Sequence, residues 1–299
     1  MKQKFSVIIV SDNESNTGKL VSAVATCGYG GNFVLNKIFV VTCGNTDIDG
    51  NEVVIVIKEA VREGKASAIN KALKLVEDDI IVLASADISI NDDTIQNLLR
   101  PLSDLSIGMS CGRPFSNDDP KTFVGFLNSM VWNLHHFVSV VVPKGGELVA
   151  FRKIMSEIPR DIAADEAYIE SEIARRGYGI AYVPSAITGN YGPVTLPDFI
   201  TQRRRIFSGH LQVRNLNGYT VSTANYKIVL KALMKYLELG PKNLKSLVRM
   251  STAIVVEAYS RFLGFLDYYT NNVMFVWPRY KRGDENVRID STHSQVQPV

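Results

Sequence analysis

The sequence lacks the features that identify several common protein classes. Among its 299 residues there are only three cysteines, Cys27, Cys43 and Cys111, and no two of them form a C-x-x-C pair. An odd number of cysteines without that spacing argues against a disulfide framework and against a cysteine-based zinc site. We therefore expect free thiols in a reducing compartment.

Long apolar runs are missing as well. No stretch of about 18 uncharged apolar residues occurs, so a simple membrane span is not expected. The apolar run at residues 7–10 is too short for the core of a signal peptide. We predict a cytoplasmic protein, and peripheral attachment to the inner face of a membrane is the alternative.

Charge is present but unevenly distributed. The net charge is +3, yet residues 201–250 contain ten Lys and Arg residues and a single acid, Glu238, for a net charge of +9. Residues 251–299 are neutral overall, which leaves −6 for residues 1–200. An acidic part followed by a basic part indicates a metal-binding region beside a region that binds anions or faces a membrane. A solvated basic helical surface would give the same charge pattern. Nucleic acid is not an expected partner.

The order of the predicted elements defines the fold class. Short β-branched runs predict buried strands, and these lie within residues 5–14, 37–47, 52–59 and 80–87. Residues 64–79 have the apolar spacing of a helix. Strands that alternate with helices predict an α/β fold with a doubly wound, mostly parallel sheet flanked by helices. A basic helix at residues 225–240 and an apolar stretch at 243–277 predict an appended C-terminal helical segment.

Polar residues follow several of the predicted strands. Ser11, Asn13 and Glu14 follow the first strand, Asp47 the second and Asp87 the fourth. Ligands bind at the carboxyl ends of the strands in such sheets, so these side chains should converge on one edge. A lone carboxylate at the end of a buried strand also calls for a positively charged partner.

Seven short motifs, in order within residues 5–220, resemble the family 2 inverting glycosyltransferases with a GT-A fold, the superfamily that includes cellulose and hyaluronan synthases and dolichyl-phosphate sugar synthases. The motifs are VIIVSDNE, VVTCGNTD, REGKASAINKAL, SAD, GGELVAFR, DEAYIESEIARRGY and QRRRI. Each motif alone is weak, but seven in the expected order are a specific signal. The resemblance implies metal-assisted transfer of a sugar, with inversion, from a nucleotide diphosphate to a hydroxyl or a lipid phosphate.

The resemblance also divides the chain. Residues 1–220 would form the glycosyltransferase domain, with a nucleotide-sugar half at 1–90 and an acceptor half at 91–220. Residues 221–280 would be a basic and apolar helical extension, and residues 281–299 a polar tail.

The resemblance assigns the metal to Asp87. Relatives carry D-x-D at this strand end and bind Mg²⁺ or Mn²⁺ through its last acid, whereas this chain reads Ser85-Ala86-Asp87. One carboxylate together with diphosphate oxygens and water suits such a hard cation. A cap of the following turn is the alternative role for Asp87.

Asp165 and Glu166 occupy the position of the catalytic base in the resembled family. Relatives usually have Glu-Asp here, with the Asp as base, and this chain has the reverse order. Counting back from the RRGY end of the helix aligns Glu166 with the base. We therefore expect Glu166 to remove the acceptor proton, with Asp165 as the alternative. Neighbouring carboxylates raise each other's pKa, which suits a base that works near neutral pH.

The segment QRRRI matches the family pattern Q-x-x-R-W except at its last residue. Gln202 and Arg205 take the relatives' positions at the diphosphate, and Arg204 and His210 are further candidates. The planar guanidinium group suits phosphate oxygens. Ile206 replaces a Trp that stacks on the acceptor sugar in chain-extending relatives, which argues against processive polymerisation.

The remaining donor contacts are expected from the strand ends and from the motif REGKASAINKAL. The candidates are Ser11, Asn13, Glu14, Asp47 and Lys65. UDP is the expected carrier and GDP the alternative. Glu147 could accept a hydrogen bond from a sugar hydroxyl. The acceptor would be a glycan or a lipid-linked molecule, as in the synthesis of cell-surface polysaccharide or glycolipid.

The apolar C-terminal stretch allows two interpretations. An amphipathic helix in the headgroup region of a membrane tolerates Glu257, Arg261 and Asp267 better than a spanning helix would. Alternatively, these helices pack on the domain or on a second subunit.

Two other functional classes compete with an active transferase. Ser85, Thr42 and Cys43 stand where relatives carry acids, which would also suit a catalytically silent nucleotide-sugar-binding scaffold for a partner enzyme. A sugar-nucleotide pyrophosphorylase would need a glycine-rich loop after the first strand, and SDNESN contains no glycine.

Overall fold

The secondary structure follows the alternation that the sequence predicts. The computed structural model describes residues 2–12, 16–44, 48–239 and 243–277. Its strands are β1 (Gln3–Ser11), β2 (Phe33–Cys43), β3 (Val54–Glu59), β4 (Ile80–Ser85), β5 (Ile88–Ile90), β6 (Ile107–Ser116), β7 (Leu148–Arg152) and β8 (Gly179–Asn190). Its helices are α1 (Thr17–Thr26), α2 (Lys65–Leu73), α3 (Thr94–Leu99), α4 (Phe123–Val141), α5 (Asp165–Arg175), α6 (Leu196–Asn217), α7 (Tyr226–Leu239) and α8 (Leu244–Tyr269). Short 3₁₀ turns occur at Arg100–Ser103 and Ser222–Ala224.

One mixed sheet runs through the described residues in the order β3-β2-β1-β4-β7-β6-β8-β5. The adjacent strands β3, β2, β1 and β4 run parallel to one another, as do β6 and β8. β7 is antiparallel to β4 and β6, and β5 is antiparallel to β8. The expected α/β class with helices flanking the sheet is confirmed, and the continuous parallel part is its N-terminal half.

The reversed direction of β7 determines what meets the end of β4. Ala84 pairs with Leu148, and Ile80 pairs with Arg152. The loop that precedes Leu148 therefore lies at the carboxyl edge of β4, beside the segment that follows Ser85. This reversal brings the motifs GGELVAFR and SAD to one edge of the sheet.

The two faces of the sheet are buried against different helices. Ile81 and Leu83 of β4 pack in a cluster with α2 and α5, whereas Val82 and Ala84 pack with α1 and α3. Successive side chains of a strand point to opposite faces. Ser85 therefore lies on the same face as α2 and α5, which is the face that holds the candidate site.

α7 and α8 pack against α4 and α6. Their buried side chains form a third cluster, which contains Leu127, Met130, Phe199, Tyr236, Met250 and Ala253. Gly264 permits the close approach of α8 to α6, because a Cβ at this position would lie 2.4 Å from the backbone oxygen of Arg204. Within the described ranges, no helix combines the length and the apolar character needed to cross a membrane.

Candidate active site

The site begins where the first residues of two helices meet. α2 begins at Lys65, and α5 begins with Asp165 and Glu166. Lys65 donates a hydrogen bond to Oε1 of Glu166, and its Nζ lies 3.1 Å from Oδ2 of Asp165. A cation at a helix N-terminus opposes the helix dipole. The two carboxylates therefore stabilise a lysine that its own helix would disfavour.

The two carboxylates differ in their access to ligands. The side chain of Asp165 is 2 % exposed, and that of Glu166 is 19 % exposed. Glu166 also lines a cavity of about 350 Å³ between α4, α6, α7 and α8, whereas Asp165 does not. A molecule in this cavity can reach Glu166 directly.

Burial and charge separate the pKa values of this cluster. Burial, together with the Glu166 charge, raises the pKa of Asp165 to about 6. Burial would raise the pKa of Glu166 too, but the charge and hydrogen bond of Lys65 lower it below its usual value. Burial opposes protonation of Lys65, yet Asp165, Glu166 and Glu147 together raise the pKa of Lys65. A charged lysine and an ionised Glu166 are therefore present at neutral pH.

The loop before β7 is fixed to α5 by a buried carboxylate. Glu170 accepts hydrogen bonds from the backbone N–H of Gly145, at 2.8 Å, and from the Tyr219 hydroxyl, at 2.6 Å. This loop carries Glu147, whose charge contributes to the raised pKa of Lys65. Sequence reasoning did not identify Glu170 and Tyr219, because a buried polar pair that joins distant elements has no local pattern.

Buried hydroxyl groups lie at the carboxyl edge of the sheet. Ser11 pairs in register with Thr42, and the Ser11 hydroxyl lies 2.7 Å from that of Thr17. The hydroxyls of Thr42 and Ser85 are buried without a hydrogen-bond partner among the described residues. Asp87 is half-buried and follows β4 directly. Buried polar groups normally have a partner, so this edge suits a polar ligand.

Three of the predicted donor residues, Asn13, Glu14 and Asp47, lie outside the described residues, and their roles stay predictions. Next to the first of these segments, Asp12 forms an ion pair of 3.0 Å with Arg62. This pair joins the end of β1 to the loop that precedes α2. The described end of β1 therefore lies beside the segment that leads to Lys65.

The three arginines of QRRRI point in different directions, because successive residues of a helix are about 100° apart. Arg203 forms two hydrogen bonds, of 2.9 and 2.8 Å, with Glu257 of α8. Arg204 pairs through two hydrogen bonds with Asp267 of α8. Gln202 is half-buried on the same helix. Arg203 and Arg204 thus hold α6 and α8 together.

Arg205 lies close enough to the cluster of Lys65, Asp165 and Glu166 for its charge to act on Glu166, and it is fully buried. Its Nη1 donates a 2.8 Å hydrogen bond to the backbone oxygen of Ala163, and its guanidinium carbon lies 3.6 Å from the ring centroid of Trp277. The same ring centroid is 5.2 Å from Nζ of Lys65. Sequence reasoning did not identify Trp277, because no recognised motif contains it.

The segment that carries Trp277 returns from α8 to the start of α2. A Cβ at Gly64 would lie 3.1 Å from the backbone oxygen of Phe275. Gly64 also has φ of +100°, a conformation that favours glycine. The end of the described chain therefore lies against Lys65 and Arg205.

The histidines near the site are neutral at physiological pH. Burial and the Lys144 charge lower the pKa of His135 to about 3, although the ring nitrogen Nε2 lies 3.2 Å from the backbone oxygen of Gly145. Burial and the Arg113 charge lower the pKa of His136 to about 4. Burial also holds the pKa of His210 well below its usual value. His210 can therefore offer a hydrogen bond to a diphosphate but no positive charge.

Comparison with known proteins adds a family match to this geometry. Residues 43–152 match the family model described as Glycosyl transferase family 2. The matched region includes Lys65, Asp87 and Glu147 and covers less than half of the chain. No curated protein sequence matches the chain.

Solved structures share the fold at low sequence identity. A mannosyltransferase, PcManGT, from Pyrobaculum calidifontis in complex with GDP-mannose and Mn²⁺ is 18% identical with a TM-score of 0.60, over 91% of this chain and 88% of that chain. A mycobacterial protein is 14% identical with a TM-score of 0.51, over 71% and 74% of the two chains. A glucosyl-3-phosphoglycerate synthase from Mycobacterium tuberculosis with Mn²⁺, UDP-glucose and phosphoglyceric acid is 14% identical with a TM-score of 0.50, over 71% and 79%.

These structural similarities establish the GT-A type of fold. The family match over residues 43–152 agrees with this fold.

Proposed function

We propose that the chain transfers a sugar from a nucleotide diphosphate, UDP rather than GDP, to an acceptor oxygen with inversion of configuration. The observation that carries the proposal is the contact of Lys65 with Asp165 and Glu166 beside the carboxyl edge of the sheet. Sugar transfer needs positive charge at the leaving diphosphate and a base at the acceptor oxygen. This cluster contains both kinds of group at the mouth of a cavity.

Glu166 is the proposed base, because it is the carboxylate that faces the cavity. A bound diphosphate would compete with Glu166 for the ammonium group of Lys65. As Lys65 turns towards the phosphates, Glu166 loses the charge that lowers its pKa and becomes a stronger base. Asp165 keeps its ion pair and holds Lys65 in the site. Donor binding would in this way raise the pKa of Glu166 and make it a stronger base for the acceptor proton.

The donor is proposed to lie along the carboxyl edge of the parallel strands. Lys65, Gln202 and Arg205 would contact the diphosphate, and Ser11 the nucleotide, together with the residues predicted at positions 13, 14 and 47. The pairing of Arg204 with Asp267 favours a structural role for Arg204. Glu147 would accept a hydrogen bond from a sugar hydroxyl. It lines the same cavity as Glu166, and its charge contributes to the raised pKa of Lys65.

The side chains at this edge fit a divalent cation that is shared with the donor. In the part of the chain that the structure describes, no group of three or more His, Cys, Asp and Glu side chains could hold a metal on its own. Asp87 would therefore supply one oxygen ligand, with diphosphate oxygens and water completing the set. Mg²⁺ or Mn²⁺ in this position would stabilise charge on the leaving diphosphate. The Mn²⁺ bound in the mannosyltransferase and the synthase supports this proposal.

Thermal stabilisation by a panel of UDP- and GDP-sugars tests the donor site. We expect one nucleotide to raise Tm, and the increase to depend on Mn²⁺, because a ligand that binds only the folded state stabilises it. Asp87→Ala should abolish the Mn²⁺-dependent part of this increase in Tm. Asp92→Ala is the matched control, since Asp92 is an exposed acid shortly after the same strand. If no nucleotide sugar stabilises the protein, the proposal is wrong.

A catalytically silent nucleotide-sugar scaffold is the second candidate. It is favoured by the pairing of both carboxylates with Lys65 and by the cover that Trp277 provides over Arg205. A scaffold would bind the donor without consuming it. Release of labelled sugar to water or to an acceptor, lost in Glu166→Gln, would exclude the scaffold.

We also propose that α7 and α8 lie against an anionic membrane surface. Both helices expose apolar side chains, including Leu230, Met234, Leu247, Val248, Val255 and Phe262. Lys227, Lys231 and Lys235 are exposed on α7 as well, next to Leu230 and Met234 along the helix. Apolar and basic side chains exposed on the same helix favour binding to anionic lipid. Flotation with anionic vesicles, but not with neutral ones, is expected, and no association with either would remove this part of the proposal.

A further inference from the structure

We infer that the acceptor carries an apolar tail, and that this tail occupies the cavity between α4, α6, α7 and α8. The inference rests on the proposed transferase function and adds the chemical class of its acceptor. Its basis is a single cavity whose lining is mostly apolar and also contains Glu166.

Most of the side chains that line the cavity are apolar, and they include Leu127, Met130, Phe199, Val229, Leu233 and Ala253. The lining also contains Glu147, Glu166 and Arg205, together with charged and polar side chains of α4, α6 and α8. An apolar wall offers water no hydrogen bonds, so such a cavity favours an apolar occupant. Glu166 would lie near the reacting oxygen of that occupant.

The size of the cavity fits a chain of carbon atoms. An apolar protein cavity of about 150 Å³ holds one benzene molecule, which has six carbons. The volume here is about 350 Å³. By this comparison the cavity could hold roughly a dozen carbons. This is enough for the first part of a long alkyl or prenyl chain.

The charged groups around the cavity favour a tail over a glycan. Arg203 and Arg261 both donate to Glu257, so each guanidinium group already has an anionic partner within the protein. The buried Lys144, which also lines the cavity, has the carboxylates of Glu170 and Glu166 nearby. His135 and His210, which also line the cavity, are kept neutral by burial. A glycan in the same space would bury its hydroxyl groups against apolar walls, which is unfavourable without hydrogen bonds.

The helices that enclose the cavity also form the exposed apolar surface. Val229 and Leu233 of α7 line the cavity, while Leu230 and Met234 of the same helix are exposed. The two surfaces are therefore separated by one helix. A lipid that reaches this apolar surface would have a short path into the cavity.

The test compares acceptors that differ only in their tails. We would measure kcat/KM for acceptors with no tail and with tails of about four, eight and twelve carbons, below their critical micelle concentrations, in one series with a phosphate head and one with a hydroxyl head. We expect kcat/KM to rise about fourfold for each added methylene group until roughly a dozen carbons are reached. A rise in either series supports the inference and identifies the head group. Equal kcat/KM with and without a tail would overturn it.

Hydrolysis of the donor, measured without an acceptor, shows whether the acceptor inference alone is wrong or the proposed function is wrong as well. If the donor is bound and hydrolysed but tails have no effect, only the inference about the acceptor is wrong. If the donor is neither bound nor hydrolysed, the transferase proposal itself fails.

A pair of matched substitutions locates the tail. Val229→Phe would fill part of the cavity, and Leu216→Phe places the same side chain at an exposed position of α6, outside the cavity and the proposed membrane surface. We expect Val229→Phe to lower the ratio of kcat/KM with a long tail to that without a tail by at least about tenfold. Leu216→Phe should keep the ratio. Ala253→Leu, which narrows the cavity from α8, provides a second filling variant if Val229→Phe does not fold. Equal ratios in the filling variant and the control would place the tail elsewhere and refute the inference.

Discussion

Replacing Glu166 by Gln gives the most direct test of the assigned base. Glutamine keeps the size of the side chain and one carbonyl acceptor, but it cannot take up a proton at neutral pH. A positioned general base contributes about 10²–10⁴-fold to the rate. We therefore expect kcat to fall by this factor, which corresponds to about 3–5 kcal/mol of transition-state stabilisation. Donor binding should persist, because Lys65 remains in the site.

The variant should fold, because Lys65 keeps a carboxylate partner. Its Nζ lies 3.1 Å from Oδ2 of Asp165, which is itself fully buried. Loss of the charged hydrogen bond to Glu166 costs about 1.5–3 kcal/mol. The free energy of unfolding, measured with urea, should therefore fall by no more than about 3 kcal/mol.

Asp165→Asn is the matched control for this assay. The Asp165 side chain is 2 % exposed and does not reach the cavity, so its loss should lower kcat less than Glu166→Gln does. The pH profile gives a second readout, because kcat/KM reports the ionisation of the free enzyme. With Glu166 as base, kcat/KM should decline only below its usual pKa of 4.5. A decline centred near pH 6, the pKa of Asp165, with a greater loss of kcat in Asp165→Asn, would refute the assignment.

Three further predictions concern the residues around this cluster. In the variant Trp132→Phe, Trp277 is the only remaining tryptophan. The fluorescence of Trp277 should change on donor binding, because its ring stacks on Arg205 and lies near Lys65. An unchanged signal at saturating donor would contradict the placement of the diphosphate. Arg204→Ala leaves the buried Asp267 without its ion-pair partner, so the free energy of unfolding should fall by about 1–3 kcal/mol. The KM for the donor should not change. A raised KM at unchanged stability would instead support a contact between Arg204 and the diphosphate. The charges of Arg203 and Arg261 outweigh the effect of burial and lower the pKa of Glu257 from 4.5 to about 2, so its stabilising effect is complete above pH 4.5 and is lost as the pH falls towards 2. Urea unfolding across this range should show that Glu257→Gln is less sensitive to acid than the parent protein, and equal sensitivity would argue against these pairs.

The N-terminal half of the fold could be predicted because its strands are buried on both faces. Such strands appear in the sequence as continuous apolar runs, as in residues 80–84 of β4. The antiparallel direction of β7 could not be predicted in the same way. Direction depends on which strand a segment pairs with, and the apolar run Leu148–Phe151 of β7 fits either direction equally well. The three-residue strand β5 is too short to give a periodic pattern.

The residues of the candidate site that belong to local motifs could be predicted, and those that act through contacts distant in the sequence could not. The motifs predicted Lys65, Asp165 and Glu166 individually, and the structure joins them because two helices begin at the same place. Glu170 and Trp277 have no such signal. Glu170 acts through a hydrogen bond to a loop that precedes it by some distance in the chain, and Trp277 reaches Arg205 only because the chain turns back after α8. Contacts of this kind depend on packing, which a single sequence does not display.

The basic motif of α6 and the apolar stretch of α8 are two sides of one interface. Sequence reasoning expected a diphosphate site at the arginines, and it left open whether the acids of the apolar stretch lie at a membrane headgroup region or in helices that pack on the domain or on a second subunit. In the structure, Glu257 and Asp267 turn inwards and pair with Arg203 and Arg204. α8 therefore packs its charged side against α6. Its apolar side, which includes Val255, Tyr259, Phe262 and Phe265, remains exposed.

In the second half of α8 this arrangement is the reverse of that in an ordinary surface helix, whose apolar side faces the core. The inward charges consequently do not argue against a membrane surface, as they would if they faced outwards. They explain how a helix with three charged residues in its second half can present an apolar face, because each charge has a partner inside the protein. The ion pairs between α6 and α8 thus make the exposed apolar surface possible, and they connect it to the helix that carries Arg205.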